Sequence, residues 1–598
     1  MTNFTPFDTF FREAQELTSL GASSSDTDCF RKADELFSKA EAICPVGNNP
    51  LENTAIVNLY WQWGLSWSGL HQVSGEALDL QCALKKFQKV LPFDCREATF
   101  WRDYGDATLQ LGRLINDQAF FFQAVNSYEK SCKFDPTNAQ GWYHLAAVSR
   151  ELYALSALQE HLNRAIASFE KLEAINRDSK FQDTEVWVEW SRLLIEAGRQ
   201  THDWKFLEEA LEKLIIAEGH RAADGSFDDS LAACRAEALL LLGSSTEQLD
   251  LIKQAEALAL EVLKMDPENP EYWCLYSNCL NELGYYFDEL DYYQRAIDRF
   301  EYAISLDSSS HWAWYGLSLS YFLIGDAEGS IEWISKAEFA CHQAVILQGT
   351  FYPQFWNRWG ECLLKKGELT YESASLELAV EKFEQSIAMR GGLQGCGEVE
   401  WLYNLGCALD FLGDFHDSEE TYIRAVEVLK VAVELDPTFF EGRHALAVSM
   451  THLGELSADI DCFHKAIALF ETLAGEQEEN EQLWNDWGFT LLHLSQLLVD
   501  PSQPNLGQDF IRQAEQKLLR GASLGSTEVY YTLVCLYSLT GHCNAAMHFL
   551  RKAEVSDALP PLDEMMIDPW LDTLRTTILF RRFFDALKLS LGYIDEQP

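Results

Sequence analysis

The amino-acid sequence predicts an all-α fold: a right-handed α-solenoid (superhelix) of about 13 antiparallel helix hairpins, closed by a C-terminal capping helix. Three observations predict it. An alanine recurs thirteen times along the 598 residues, a small residue precedes most of these alanines by a fixed distance, and apolar side chains around both follow helical spacing. Periods of 41 to 46 residues dominate. Such self-similarity indicates stacked repeats, because one hairpin cannot bury its apolar faces alone.

The recurring alanines mark the second helix of each hairpin. They are Ala33, Ala83, Ala124, Ala165, Ala210, Ala255, Ala296, Ala337, Ala379, Ala425, Ala466, Ala514 and Ala546. Four residues after the alanine stands a larger side chain in most copies, as in Phe87, Tyr128 and Phe383. We expect this larger side chain to fill the space beside the alanine, one helical turn away.

A small residue marks the first helix, nineteen positions before each of the first eleven alanines. The series is Ala14, Gly64, Gly105, Ala146, Ser191, Ala236, Ser277, Ser318, Gly360, Gly406 and Ala447. An aromatic residue usually precedes it by four positions, as Trp101 precedes Gly105. Small residues on both helices let the two backbones approach closely, so we expect both series to be buried.

A glycine follows in nine copies, twelve residues before the alanine; Gly112 and Gly284 are examples. Because glycine commonly follows the last turn of a helix, the pattern predicts that the first helix stops there. The residues between this glycine and the alanine then form a longer turn and about one added turn of the second helix.

Several segments together resemble the tetratricopeptide repeat. Trp142 to Ser149 reads W-Y-H-L-A-A-V-S, Ala296 to Asp307 reads A-I-D-R-F-E-Y-A-I-S-L-D, and Phe134-Asp135-Pro136 supplies the closing D-P. The usual repeat has about 34 residues, so this chain resembles a long-repeat variant. The resemblance implies a non-enzymatic scaffold that binds a peptide or protein partner in a concave groove or on acidic faces.

The resemblance also places candidate partner-binding residues on the first helices, facing the groove. The candidates are Arg102, Tyr143, Arg192, Asn278, Tyr315, Asn357, Tyr403 and Asn485. Asparagine amides can hold a peptide backbone, since they both donate and accept hydrogen bonds. The alternative, that these side chains are only solvated, stays open. The paired lysine and asparagine positions with which related repeats clamp a C-terminal carboxylate do not occur.

Charge and composition narrow the class of partner. The chain has 46 Lys and Arg residues against 93 Asp and Glu residues, a net charge of −47. This charge repels phosphate backbones, so it favours a protein or peptide partner, especially a basic one, over nucleic acid. No signal peptide or membrane-spanning segment is evident, so we expect no membrane insertion and a cytoplasmic location. Fifteen cysteines without paired spacing suit a reducing compartment.

No set of residues indicates chemistry, so we expect no catalytic residues, no cofactor and no metal site. The loop from Gly391 to Gly397 lacks the Lys-Ser/Thr of a phosphate-binding loop. Cys274, Cys279 and Cys234 lack the spacing of metal ligands. Two alternatives to the scaffold stay open: a chaperone-like holder of basic or amphipathic client segments and, more remotely, an enzyme with a site in the groove.

Composition shifts and insertions divide the predicted array into three parts. We expect an N-terminal repeat array over residues 1–230, a continuing array over 231–555 and the capping helix within 556–598. The sequence leaves the oligomeric state open.

Overall fold

The computed structural model describes residues 5–44, 50–115, 117–156, 158–178, 184–201, 203–221, 228–348, 352–498 and 504–590. Helix makes up 86% of the structure, and the residues described contain no strand. The predicted all-α architecture of packed helix pairs is confirmed. The handedness and the number of hairpins stay predictions, as do the boundaries at residues 230 and 555.

The helices fall into two compact units. The first reaches Glu328 and adds Phe339–Tyr352; the second takes Gly329–Glu338 and the described chain from Pro353 onward. The first unit contains α1 (Pro6–Ser24), α2 (Thr27–Ile43), α3 (Pro50–Ser74), α4 (Ala77–Gln88), α5 (Ala98–Ile115), α6 (Gln118–Phe134), α7 (Ala139–Ser156), α8 (Gln159–Asp178), α9 (Thr184–Thr201), α10 (Trp204–Arg221), α11 (Asp229–Ser245), α12 (Leu249–Met265), α13 (Pro270–Phe287), α14 (Leu290–Leu306) and α15 (His311–Glu328).

The remaining helices continue the pattern. Helix α16 (Ile331–Gln348) contributes residues to both units. The second unit contains α17 (Pro353–Thr370), α18 (Ser373–Met389), α19 (Val399–His416), α20 (Glu419–Leu435), α21 (Phe440–Ser457), α22 (Ile460–Glu476), α23 (Glu481–Leu497), α24 (Pro504–Leu524), α25 (Val529–Leu539), α26 (Cys543–Val555), α27 (Leu562–Ile567), α28 (Asp572–Arg575) and α29 (Ile578–Ser590).

Each pair is held by the two small-residue series. All thirteen alanines are 0% exposed, and the eleven small residues of the first helices are buried. A Cβ added to Gly105 would lie 2.7 Å from Cε1 of Tyr128, and one added to Gly360 would lie 2.7 Å from Cδ1 of Phe383. Both aromatic rings stand four residues after a recurring alanine, so the predicted close packing is confirmed.

The predicted end of the first helix is wrong. Helix α13 continues through Gly284 to Phe287, and α5 continues past Gly112 in the same way. Gly284 instead lets the two helices of the pair approach closely at a second point, because a Cβ added there would lie 2.8 Å from Cε1 of Tyr293. Helix α13 ends at Asp288, which has a φ of 53° and donates its N–H to the carbonyl of Gly284. The additional residues of the long repeat therefore extend both helices of the pair.

The aromatic residue of the first helix fixes the preceding turn. Trp142 Nε1 donates to the carbonyl of Pro136 over 3.0 Å, and Trp273 Nε1 donates to the carbonyl of Pro267 over 2.8 Å. Trp101 is buried, with 8% of its surface exposed. Each indole thus combines apolar packing with a hydrogen bond to a carbonyl that the helices leave without a partner.

The C-terminal cap is divided into short pieces rather than one helix. Helix α27 is followed by a 3-10 turn at Pro569–Leu571, then by α28 and α29. Pro569 has no N–H to continue a helix, and the carboxylate of Asp568 accepts the N–H of Trp570 over 2.8 Å. The cap contributes Met565, Leu571, Leu574, Phe580 and Phe584 to the apolar cluster shared with α25 and α26.

Candidate functional site

The first helices of successive pairs form a continuous surface within each unit, which we call the first-helix face. It consists of α1, α3, α5, α7, α9, α11, α13 and α15 in the first unit, and of α17, α19, α21, α23 and α25 in the second. Neighbouring first helices contact one another, whereas neighbouring second helices make no comparable contact within the described ranges. Side chains on the first-helix face can therefore interact from one repeat to the next.

In the first unit, arginine–glutamate pairs connect successive first helices. Arg113 Nε lies 3.1 Å from Glu151 Oε2, between α5 and α7. Arg150 Nε lies 3.2 Å from Glu189 Oε2, between α7 and α9. Burial opposes the charge on Arg113, but its hydrogen bond to Glu151 and the charge of that carboxylate raise the pKa of the guanidinium. The contact with Glu151 therefore favours the charged form of Arg113.

In the second unit, histidine–carboxylate pairs also connect successive first helices. His452 Nδ1 on α21 lies 3.1 Å from Asp410 Oδ2 on α19 and 3.9 Å from Asp414 Oδ1. His493 Nδ1 on α23 lies 3.6 Å from Glu455 Oε1 on α21. The charge of these contacts therefore depends on the protonation of an imidazole.

The two histidines differ in protonation. Burial lowers the pKa of His452, but the hydrogen bond to Asp410 and the charges of Asp410, Asp414 and Glu455 outweigh it and raise the pKa to about 9. Burial, together with the nearby charge of His452, lowers the pKa of His493 to about 3. At neutral pH one imidazole is thus a cation and its neighbour is neutral.

Four of the eight predicted partner-binding residues contact the next repeat. Arg102 Nη1 donates to Gln140 Oε1 over 2.6 Å, and the hydroxyl of Tyr143 donates to Glu185 Oε1 over 3.2 Å. Two further contacts of this kind join Arg192 Nη2 to Ser230 Oγ (3.0 Å) and Thr532 Oγ1 to Asn485 Oδ1 (3.3 Å). These side chains lie on the first-helix face, where they join neighbouring repeats; their role in partner binding stays a prediction.

Asn357 is buried rather than presented to solvent, with 5% of its surface exposed. Its Nδ2 donates to Glu361 Oε1 over 2.7 Å, and Asn404 Nδ2 donates to the same oxygen over 3.1 Å. Asn357 therefore helps to orient Glu361 between α17 and α19.

The three remaining predicted residues lie at different depths. Tyr315 is half-buried with its ring 5.8 Å from that of Trp312, and the ring of Tyr403 lies 5.5 Å from that of Phe439. Asn278 on α13 is exposed. Among the eight candidates, Asn278 is the one that is exposed rather than half-buried or buried.

Sequence reasoning missed the pairs that connect repeats. Asp410 and Asp414 are one helical turn apart, a spacing that is visible in the sequence. Their histidine lies on another helix, 38 residues after Asp414. That pairing depends on how one repeat stacks on the next, which the local spacing does not reveal.

Comparison with known protein families gives matches in both units. A family described as Tetratricopeptide repeat matches residues 240–304 and 282–345, and a second family of the same description matches residues 399–438. This chain contains tetratricopeptide repeats. Such repeats support a protein-interaction scaffold. No curated protein matches the sequence. No helix in the described ranges is both long and apolar enough to cross a membrane.

Solved structures with detectable similarity are distant. A human IFIT1 dimer with PPP-AAAA shares 17% identity, covering 69% of this chain and 91% of that chain, with a TM-score of 0.34. A human IFIT1 dimer with m7Gppp-AAAA shares 17%, covering 69% and 90%, with a TM-score of 0.36. The APC/C hetero-tetramer Cut9-Hcn1 shares 14%, covering 92% and 96%, with a TM-score of 0.40.

Proposed function

We propose that the protein is a non-enzymatic scaffold that binds an extended, basic segment of a partner protein along its first-helix face. The observation that carries the proposal is the exposure of Asn278 on α13. The neighbouring first helix α15 contacts α13 and exposes 38% of Trp312. An exposed asparagine and a partly exposed tryptophan on adjacent helices are suited to a peptide's backbone and to its side chains.

The charge of the chain supports a basic partner. A net charge of −47 attracts cationic segments and accelerates their encounter with the face, more strongly at low salt than at high salt. The arginines Arg113 and Arg150 are already paired with glutamates of neighbouring repeats. They therefore add little net positive charge to oppose such a segment.

The proposal is tested by site-specific photo-crosslinking in extract from the native host. One full-length variant carries p-benzoylphenylalanine in place of Asn278, and a matched variant carries it in place of Asp298, an exposed residue on the second helix α14 of the same pair. We expect a discrete crosslinked partner from position 278 only, with a yield that falls as salt is raised. Equal crosslinking from both positions, or none from position 278, would contradict the proposal.

The same experiment distinguishes the scaffold from the chaperone-like alternative. A scaffold gives one or a few discrete products, whereas a holder of client segments gives many heterogeneous ones and keeps them soluble. An enzyme with a groove site would instead release a changed partner or small molecule. A discrete, unmodified partner supports the scaffold over both alternatives.

A further inference from the structure

We propose that Asp410, Asp414 and His452 form a binding site for one divalent transition-metal ion on the first-helix face of the second unit. The ligand atoms of these three side chains all lie within 4.8 Å of one another. Two come from one face of α19, one turn apart, and the third comes from α21 opposite them. The inference does not depend on which partner the scaffold binds.

The distances match those between the ligands of a small metal ion. Ligand bonds of about 2.0–2.2 Å place two tetrahedral ligand atoms about 3.4 Å apart. His452 Nδ1 lies 3.1 Å from Asp410 Oδ2 and 3.9 Å from Asp414 Oδ1, on either side of that value. Small side-chain rotations bring the three atoms around one ion, leaving a further position for water or a partner group. Because the carboxylates raise the pKa of His452 to about 9, the ion must displace the proton of this imidazole, so binding strengthens as pH rises toward that value.

A second observation concerns the unused oxygen of Asp410. Its Oδ1 is buried and accepts no hydrogen bond from the described part of the chain, while the side chain as a whole is 14% exposed. A carboxylate oxygen removed from water without a donor is costly, and a bound cation would compensate for it. The hydroxyl of Tyr422 donates to Asp414 Oδ1 and holds that carboxylate toward His452.

The donor set indicates the class of ion. An imidazole with two carboxylates suits Zn²⁺ and its neighbours among the divalent transition metals, whereas Mg²⁺ and Ca²⁺ prefer oxygen ligands alone. A second carboxylate and imidazole, Glu455 and His493, lie 3.6 Å apart beside this group. Glu455 adds a further negative charge near His452, which favours a bound cation.

The test is isothermal titration calorimetry, in which the full-length chain, treated with EDTA and dialysed, is titrated with ZnCl₂, MnCl₂ or MgCl₂. Because the fifteen cysteines could also take Zn²⁺, the decisive quantity is the difference between variants. We expect Asp410→Asn and His452→Gln to weaken one site by about tenfold or more. The matched control is His444→Gln on the same helix α21, whose Nε2 lies 2.9 Å from Asp486 Oδ2; it should bind as the unmodified chain does.

A gain-of-signal variant keeps the proposal falsifiable if those substitutions disturb folding. His452→Cys replaces the imidazole by a thiolate ligand, so Co²⁺ added to it should show a sulfur-to-cobalt absorption that Asp410→Asn/His452→Cys lacks. Binding that is unchanged in Asp410→Asn and His452→Gln would overturn the proposal. So would an equal loss in His444→Gln, or a cobalt absorption independent of Asp410.

Discussion

Replacing Gly360 by alanine tests the close approach of the two helices in a pair. Gly360 lies on α17, and an added Cβ would lie 2.7 Å from both Cδ1 and Cε1 of Phe383 on α18. Carbon atoms in contact normally stand about 3.5–4.0 Å apart, so the ring must move by about 1 Å. Phe383 is 0% exposed and belongs to the apolar cluster of α17 to α20, which leaves it no open space.

The steric cost is expected to be about 1–3 kcal/mol, as for other overpacked cores. Alanine also favours a helix by up to about 1 kcal/mol relative to glycine, so the control is Gly475→Ala on α22. A Cβ at Gly475 would meet no atom within 4 Å. The difference between the two variants isolates the clash with Phe383.

The assay is urea unfolding of both variants, combined with amide hydrogen exchange of peptides from α17 and α18. The local measurement is needed because repeat arrays can unfold in parts. We expect Gly360→Ala to lower the midpoint and to increase exchange in that pair, and Phe383→Leu to reduce the penalty. If Gly360→Ala and Gly475→Ala are equally stable, the close-approach reasoning is refuted.

Two further substitutions test polar groups between repeats. Burial raises the pKa of Glu282, and the hydrogen bond from Ser244 opposes this rise only in part. The folded state therefore binds the proton of Glu282 more tightly than the unfolded chain does. Stability is accordingly lost as pH rises above the ordinary glutamate pKa near 4.5. Glu282→Gln should accordingly stabilise the protein in urea at pH 7 and give no gain at pH 4, and a gain that persists at pH 4 would count against this. The buried hydroxyls of Thr451 and Thr490 lie 2.9 Å apart between α21 and α23. Thr490→Val should lower the free energy of unfolding by about 1 kcal/mol, and the double variant with Thr451→Val should be only slightly less stable than that. Losses that add in the double variant would contradict a hydrogen bond between the two hydroxyls.

The packing within each pair was predictable because it depends on short-range spacing. The recurring alanines and the small residues nineteen positions before them all proved buried. Gly284 shows the limit of this approach. Its role was misjudged because glycine at a helix end and glycine at a helix crossing look alike in sequence, and only the position of Tyr293 distinguishes them.

The candidate site was much less predictable. The sequence located the first-helix positions, but not which of them would be occupied by a neighbouring repeat. Asn357 and Asn278 belong to the same predicted set, yet one is 5% exposed and bonded to Glu361, while the other is open to solvent. Burial of this kind is decided by side chains that belong to other helices.

The sequence by itself determined the helix pairs, because residues three or four apart share a helical face and every copy repeats the same small and large side chains. Only the tertiary structure decided which side chains of different repeats meet, as Asp410 and Asp414 meet His452. The physical reason is that the offset and rotation between stacked repeats arise from the sum of many packing contacts, and no short stretch of sequence contains that sum.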